Sequence, residues 1–275
     1  MKCLLCLVAG LLSGYHWGLA QTTHPLLQQM LEKARAVDYG SYRIVAREHY
    51  PYSTDTIVYR GRCAFSRFEH FDGKPGIRYD VDMETRQPRQ SPFQERMVFD
   101  GMMKYDFRSD TLVMLYDSRE VDEDYIMRGL QYFFFIPMLL HPGQVQKFLI
   151  RDKYLGKPPY ETLPDTLIGG TPCHLVGADW AVDTASTIWE HIRFGINANT
   201  GLPVYFSHTE ETLATTKNQS TQRRGLEIQV EDWTPELPVN SFYVDWTGLP
   251  ATFEVRHFHD CYNRELLRSR NQTGL

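Results

Sequence analysis

Met97-Val-Phe-Asp-Gly-Met-Met-Lys-Tyr-Asp-Phe107 decides how this chain folds. Asp100-Gly101 is a strong signal for a two-residue β-hairpin, because that turn needs left-handed backbone that Asp and Gly tolerate. Met97 to Phe99 leads into it. Met103, Tyr105 and Phe107 then alternate with Lys104, Asp106 and Arg108, the period of an extended strand. The stretch therefore predicts antiparallel neighbours with one apolar and one wet face.

The same period extends in both directions. Upstream, Ile77, Tyr79, Val81 and Met83 alternate with Arg78, Asp80 and Asp82, after a turn at Asp72-Gly-Lys-Pro-Gly76. Ile57, Tyr59, Cys63 and Phe65 share one side of an earlier strand, with Arg60, Arg62 and Ser66 on the other. Tyr42, Ile44 and Ala46 alternate with Arg43, Val45 and Arg47. Before them Leu26, Leu27, Met30, Leu31 and Ala34 recur at helical spacing, which predicts an amphipathic helix over 24–37.

Downstream, Leu112 to Tyr116 completes the first run of strands. An insert over 121–151 follows, with an acidic start at Asp122-Glu-Asp124 and breaks at Pro137 and Pro142, which reads as two short helices. Strands resume at Thr162–Ile168, Cys173–Trp180, Ile188–Ile196, Pro203–Thr212 and Leu226–Val230. Pro235, Pro238 and Pro250 make the remainder irregular. Roughly nine to eleven hairpin-linked strands with no βαβ rhythm predict an α+β, mostly β fold built on a single antiparallel sheet. A sheet that wide curls, and the helices are expected to cover its concave apolar face.

The N-terminus reads as a secretory signal. Lys2 is followed by an uncharged apolar run, Cys3 to Leu12, and Gly18-Leu-Ala20 suits a signal peptidase. The apolar core is shorter than the ~20 residues a bilayer needs, so a spanning helix is the weaker reading. Residues 1–20 are thus expected to be removed, leaving one domain over 21–260, a polar tail over 261–275 and no transmembrane segment. Cys3 and Cys6, at C-x-x-C spacing, would go with the signal. Cys63, Cys173 and Cys261 remain, enough for at most one internal bridge, with buried free thiols as the alternative. The net charge of −5, with no basic patch interleaved with aromatics, argues against a nucleic-acid partner.

Three stretches resemble the superfamily of periplasmic lipoprotein carriers, the LolA-like and LolB-like proteins. They are Val98 to Asp106, Ile188 to Val204 with its Asn199-Thr-Gly-Leu-Pro203 turn, and Pro137-Met-Leu-Leu140. Together with Tyr52 to Gly61 they look most like an uncharacterised branch of that superfamily. The resemblance implies an unclosed β-barrel with helices plugging its mouth, an apolar cavity for acyl chains and a periplasmic location. It departs from the branch in that nothing after residue 235 resembles the thioredoxin-like domain that often follows.

On this reading the cavity would be lined by Ile57, Tyr59, Phe65, Tyr79, Val81, Phe99, Tyr105, Ile192, Phe194 and Ile228. The lid would be formed by Phe133, Phe134, Phe135, Ile136, Met138 and Leu139, in a segment without charge between Arg128 and Lys147. Plain core packing explains the lid residues equally well. Each acyl CH₂ buried would contribute ~0.8 kcal/mol, so such a carrier needs no polar motif. Arg256-His-Phe-His-Asp-Cys261 places His257, His259 and Cys261 as metal-ligand types, although an edge strand with solvated histidines is the commoner meaning. There is no G-x-S-x-G, H-E-x-x-H or phosphate loop. The sequence therefore predicts a protein without catalysis or cofactor that carries a lipid or lipoprotein acyl chain. The alternative is an envelope module with a packed core that binds a protein partner.

Overall fold

The computed structural model describes residues 24–50, 55–69, 75–109, 111–121, 126, 130, 136, 160–181, 188–212, 221–247 and 253–258. One helix, α1 (Pro25–Arg35), precedes six strands: β1 (Tyr39–His49), β2 (Thr56–Glu69), β3 (Pro75–Arg86), β4 (Phe93–Phe99), β5 (Met103–Ser109) and β6 (Leu112–Asp117). Six more follow: β7 (Glu161–Ile168), β8 (Thr171–Ala181), β9 (Ile188–Asn197), β10 (Pro203–Thr212), β11 (Gln222–Thr234) and β12 (Glu254–His257). All twelve strands join a single sheet in the order β12-β6-β5-β4-β3-β2-β1-β11-β10-β9-β8-β7. The order is linear, so the sheet is open rather than closed.

This order is two hairpin meanders sewn together. β1 to β6 run one way from the centre and β11 to β7 the other, and the seam is the long antiparallel pairing of β1 with β11. A bulge interrupts that seam between Ser41 and Arg43, where Asp232 takes a φ of 48°. The bulge brings Trp233 onto Gly40, and a Cβ there would lie 2.3 Å from the indole, so only glycine fits. Tyr42, Phe65 and Trp233 form an aromatic cluster around this point.

α1 lies on one face of the sheet, called here the inner face. Pro25 occupies its first turn, where no N–H is needed, and Leu27, Met30, Leu31 and Ala34 are buried at the spacing of one helical stripe. They share a core with Tyr42, Phe65, Tyr79, Val81, Phe194 and Ile228. The helix predicted from periodicity is therefore present, two residues shorter at its C-terminal end.

The predicted helical lid is not shown. Of the insert, residues 126, 130 and 136 are described, and Ile126, Leu130 and Ile136 are all buried in the inner core. α1 is the one helix whose extent is described.

The last element was not expected from the sequence as part of the sheet. β12 pairs in parallel with β6 at one edge, the sole parallel pair among the described residues. The segment leading to it runs over the outer face. Trp246 packs edge-on against Tyr105, Phe253 against Phe107, and Val244 is buried. Both sheet edges are protected against further pairing. β12 is short with all four residues exposed, and β7 carries Pro164 at a register break between Leu163 and Thr166.

Candidate functional site

Cross-strand pairing arranges the inner face in rows. One row runs Thr85, Tyr59, Ala46, Ile228, Phe206, Phe194, Val176 from β3 through β2, β1, β11, β10 and β9 to β8. Another, nearer the C-terminal end of α1, runs Phe65, Tyr79, Phe99, Lys104, Tyr116 across β2 to β6. Residues directly opposite in such a ladder share a face, with Cβ atoms about 5 Å apart.

Nine of the ten predicted cavity residues meet on this face. Phe65, Tyr79, Val81, Phe99, Ile192, Phe194, Ile228 and Tyr59 are buried in the one core, and Ile57 packs partly buried against it. Tyr105 is a correction. Phe99 pairs with Lys104 and Val98 with Tyr105, which leaves Asp100 to Met103 outside the β4–β5 ladder. The Asp100 carboxylate accepts the N–H groups of Met102 and Met103 and the Tyr105 hydroxyl. Gly101 takes a φ of 107°. Since partners share a face, Lys104 and Asp106 point inward with Phe99 and Met97, and Tyr105 and Phe107 point outward. An Asp-Gly turn with an even number of residues already implies this, so the pairing, rather than the alternation, held the signal.

Sequence reading thus missed the polar groups of the inner face. Lys104 is 1% exposed, with its ammonium 5.3 Å from the centre of the Tyr116 ring. Glu190 is 2% exposed and lies 2.9 Å from Nε2 of His208. Arg224 donates to Glu210 at 2.6 Å, and Tyr59 donates to Glu48 at 3.0 Å.

Two phenols connect the sheet to the β6–β7 connection. The Tyr79 hydroxyl donates to the Ile126 carbonyl at 2.5 Å, and the Tyr42 hydroxyl shares a hydrogen bond with the Ile136 backbone. Burial raises both phenols well above their usual pKa, and the Cys63 thiol is pushed up to about 12 by the same cause. Cys63 and Cys173 are buried free thiols, so neither forms a bridge.

Of the predicted lid, Ile136 is buried beside Tyr42, whereas Phe133, Phe134, Phe135, Met138 and Leu139 lie outside the described residues. His257 is exposed on edge strand β12, opposite Leu115; His259 and Cys261 lie outside the described residues. Among the described residues no three His, Cys, Asp or Glu side chains gather as a metal site. No described helix is long and apolar enough to cross a membrane.

A cleft of about 260 Å³ lies on the outer face, between β2–β4 and the strap that follows β11. Arg62, Asp80, Arg96, Asn240, Tyr243 and Asp245 border it. Arg96 there grips Asp80 with two hydrogen bonds and donates a third to the Tyr243 carbonyl.

No family model matches the chain, and no curated protein matches its sequence. Among solved structures, the chain is similar to a DUF1329 family protein from Desulfovibrio piger, with 10% identity and a TM-score of 0.30. That alignment covers 83% of this chain and 100% of the other. A structure described as an outer membrane lipoprotein-sorting protein domain from Vibrio parahaemolyticus is 9% identical, with a TM-score of 0.22, covering 79% of this chain and 94% of the other.

Proposed function

We propose that this chain is an exported, non-catalytic binding or carrier protein of the cell envelope. It would hold the acyl part of a lipid or lipoprotein between the inner face of its sheet and the cover over it. One observation carries the reading: a row of apolar residues runs unbroken from Tyr59 to Val176 across the inner face, and α1 is the one helix of described extent that covers this face. Eleven inter-strand spacings make an arc on the order of 50 Å, while an 11-residue helix is about 16 Å long. The rest of the roof includes Ile126, Leu130 and Ile136 of one long connection, with Tyr42 and Tyr79 bonded to its backbone. An acyl chain that took the place of such apolar cover on the sheet would gain ~0.8 kcal/mol per CH₂ buried.

Native mass spectrometry of the purified protein, before and after delipidation and re-incubation with an envelope lipid extract, tests this. A stoichiometric mass increment that delipidation removes and re-incubation restores is expected. No uptake by folded protein sinks the reading.

A second reading also has a specific observation behind it. The inner residues are almost fully buried against each other and against α1, and the 260 Å³ cleft opens on the outer face. A packed-core module that binds an envelope protein partner would look this way. A stoichiometric partner recovered without lipid would favour it.

A further inference from the structure

The inner face contains one charged group whose needs the described fold does not meet. Arg67 stands two residues beyond Phe65 on β2, so its side chain falls on the same face. Its backbone N–H donates to the Asp38 carbonyl at 2.7 Å, which fixes it beside the chain leaving α1. Its ladder partner, Ile77, packs against the apolar core. Nε and Nη2 of Arg67 are buried and have no hydrogen-bond partner. A guanidinium stays charged, so it cannot escape this position by losing a proton. Arg67 is half-buried as a whole, and donors buried as these two are normally acquire a partner.

A charged group of α1 that acts on this position has the same sign. Arg35 ends α1, and burial followed by the charge of Arg67 lowers its pKa. The acid acting on Arg35 is Glu32, itself exposed on the preceding turn. The C-terminal end of the helix dipole favours cations. Its last carbonyls, however, receive the N–H groups of Ala36 and Val37 rather than Arg67. The two buried, unmatched donors of Arg67, Nε and Nη2, are what a planar oxyanion satisfies, through paired N–H···O bonds.

We infer that Arg67 and Arg35 form a subsite for an oxyanion, the carboxylate or phosphate at the head of an amphiphile whose acyl chain lies along the inner face. The identity of the chain rests on the acyl-binding reading above. The row Phe65, Tyr79, Phe99 begins one step along β2 from Arg67, so a chain attached to the bound anion would run directly onto aromatic surface. A free phosphate offers the same oxyanion without the chain.

The full chain as secreted, delipidated, is titrated with three probes: a long-chain fatty acid, its methyl ester and inorganic phosphate. Charge-assisted hydrogen bonds predict that the acid binds at least about tenfold tighter than the ester. In Arg67→Gln that preference should fall to near unity while ester binding is unchanged; Arg67→Lys, which keeps charge but loses the fork, should fall between. Arg35→Gln gives the same loss of preference and serves if Arg67→Gln does not fold. Phosphate that binds and competes with the acid, and no longer does so in Arg67→Gln, supports the subsite with a lipid headgroup as one source. Phosphate binding without acid or ester binding supports the oxyanion site but overturns the acyl reading. Equal affinity for acid and ester overturns the subsite and leaves the acyl reading standing. Failure to bind any of the three overturns both.

Discussion

The two ends of the inner face treat charge differently. Toward the end where α1 finishes, the face bears Arg67 and Lys104, with Arg35 on the helix; toward the opposite end it bears Glu48, Glu190 and Glu210. Each of those carboxylates has a partner: Tyr59, His208 and Arg224 respectively. Arg67 has two buried donors with none. The acidic end does hold an orphan of its own, the Thr85 hydroxyl. A neutral hydroxyl, however, costs far less to bury than a guanidinium. The difference teaches that the carboxylates of the acidic end are matched within the fold, while the Arg67 donors of the basic end are not. Buried polar groups that complete their network rigidify a fold, and incomplete ones mark a place where a partner is missing.

The comparison can be broken in several ways. The largest effect should come from the aromatic layer between the two ends. Phe194→Ala, which leaves a void against Phe206 and Tyr160, should cost about 3–5 kcal/mol in urea unfolding. A smaller loss would mean that this layer is already loose.

Alkaline titration comes next. Cys63, Tyr42 and Tyr79 have folded pKa values raised by burial, so the unfolded chain releases these protons first. Their stabilising contribution is complete below the unfolded values, near 9 for the thiol and 10 for the phenols. It is lost as pH rises through the folded ones. Each group that stays protonated should remove about 1.4 kcal/mol per pH unit above its unfolded value. Unfolding midpoints measured from pH 8 to 11 should fall, and less steeply in Cys63→Ala by one proton's worth.

Glu190→Ala should then cost about 2 kcal/mol, less than a fully buried pair because the His208 side chain is 26% exposed. The smallest effect sharpens the contrast most. Arg67→Gln should change stability by no more than about 0.5 kcal/mol, or raise it, since it removes unmatched donors. If Arg67→Gln destabilises as much as Glu190→Ala, the basic end is structural too and the contrast fails.

How much of this was legible in the sequence depends on whether a feature is periodic or paired. Tyr79, Val81 and Met83 alternate with Asp80 and Asp82 and are buried in the order expected. The helical stripe Leu27, Met30, Leu31 and Ala34 was equally plain. Alternation states that two faces exist, but not which one meets the core. On β5 Tyr105 was expected to face inward, and the ladder turns it outward onto Trp246, with Phe107 beside it on Phe253. The strap that receives them is rich in proline and lacks period, so nothing local announced it. Of the metal-ligand stretch, His257 lies on the exposed edge strand β12. Its parallel pairing with β6 joins residues far apart in the chain and leaves no mark in either segment.

By itself the sequence determined the period of most strands, the apolar stripe of α1 and most places where the chain must turn, because these follow from local backbone sterics and nearest-neighbour burial. Tertiary structure alone decided that two meanders join through β1 and β11, that β12 pairs in parallel with β6, and that Arg67 ends beside the chain leaving α1. Those outcomes are set by pairing between distant strands, where a single shared face couples residues that the chain keeps far apart.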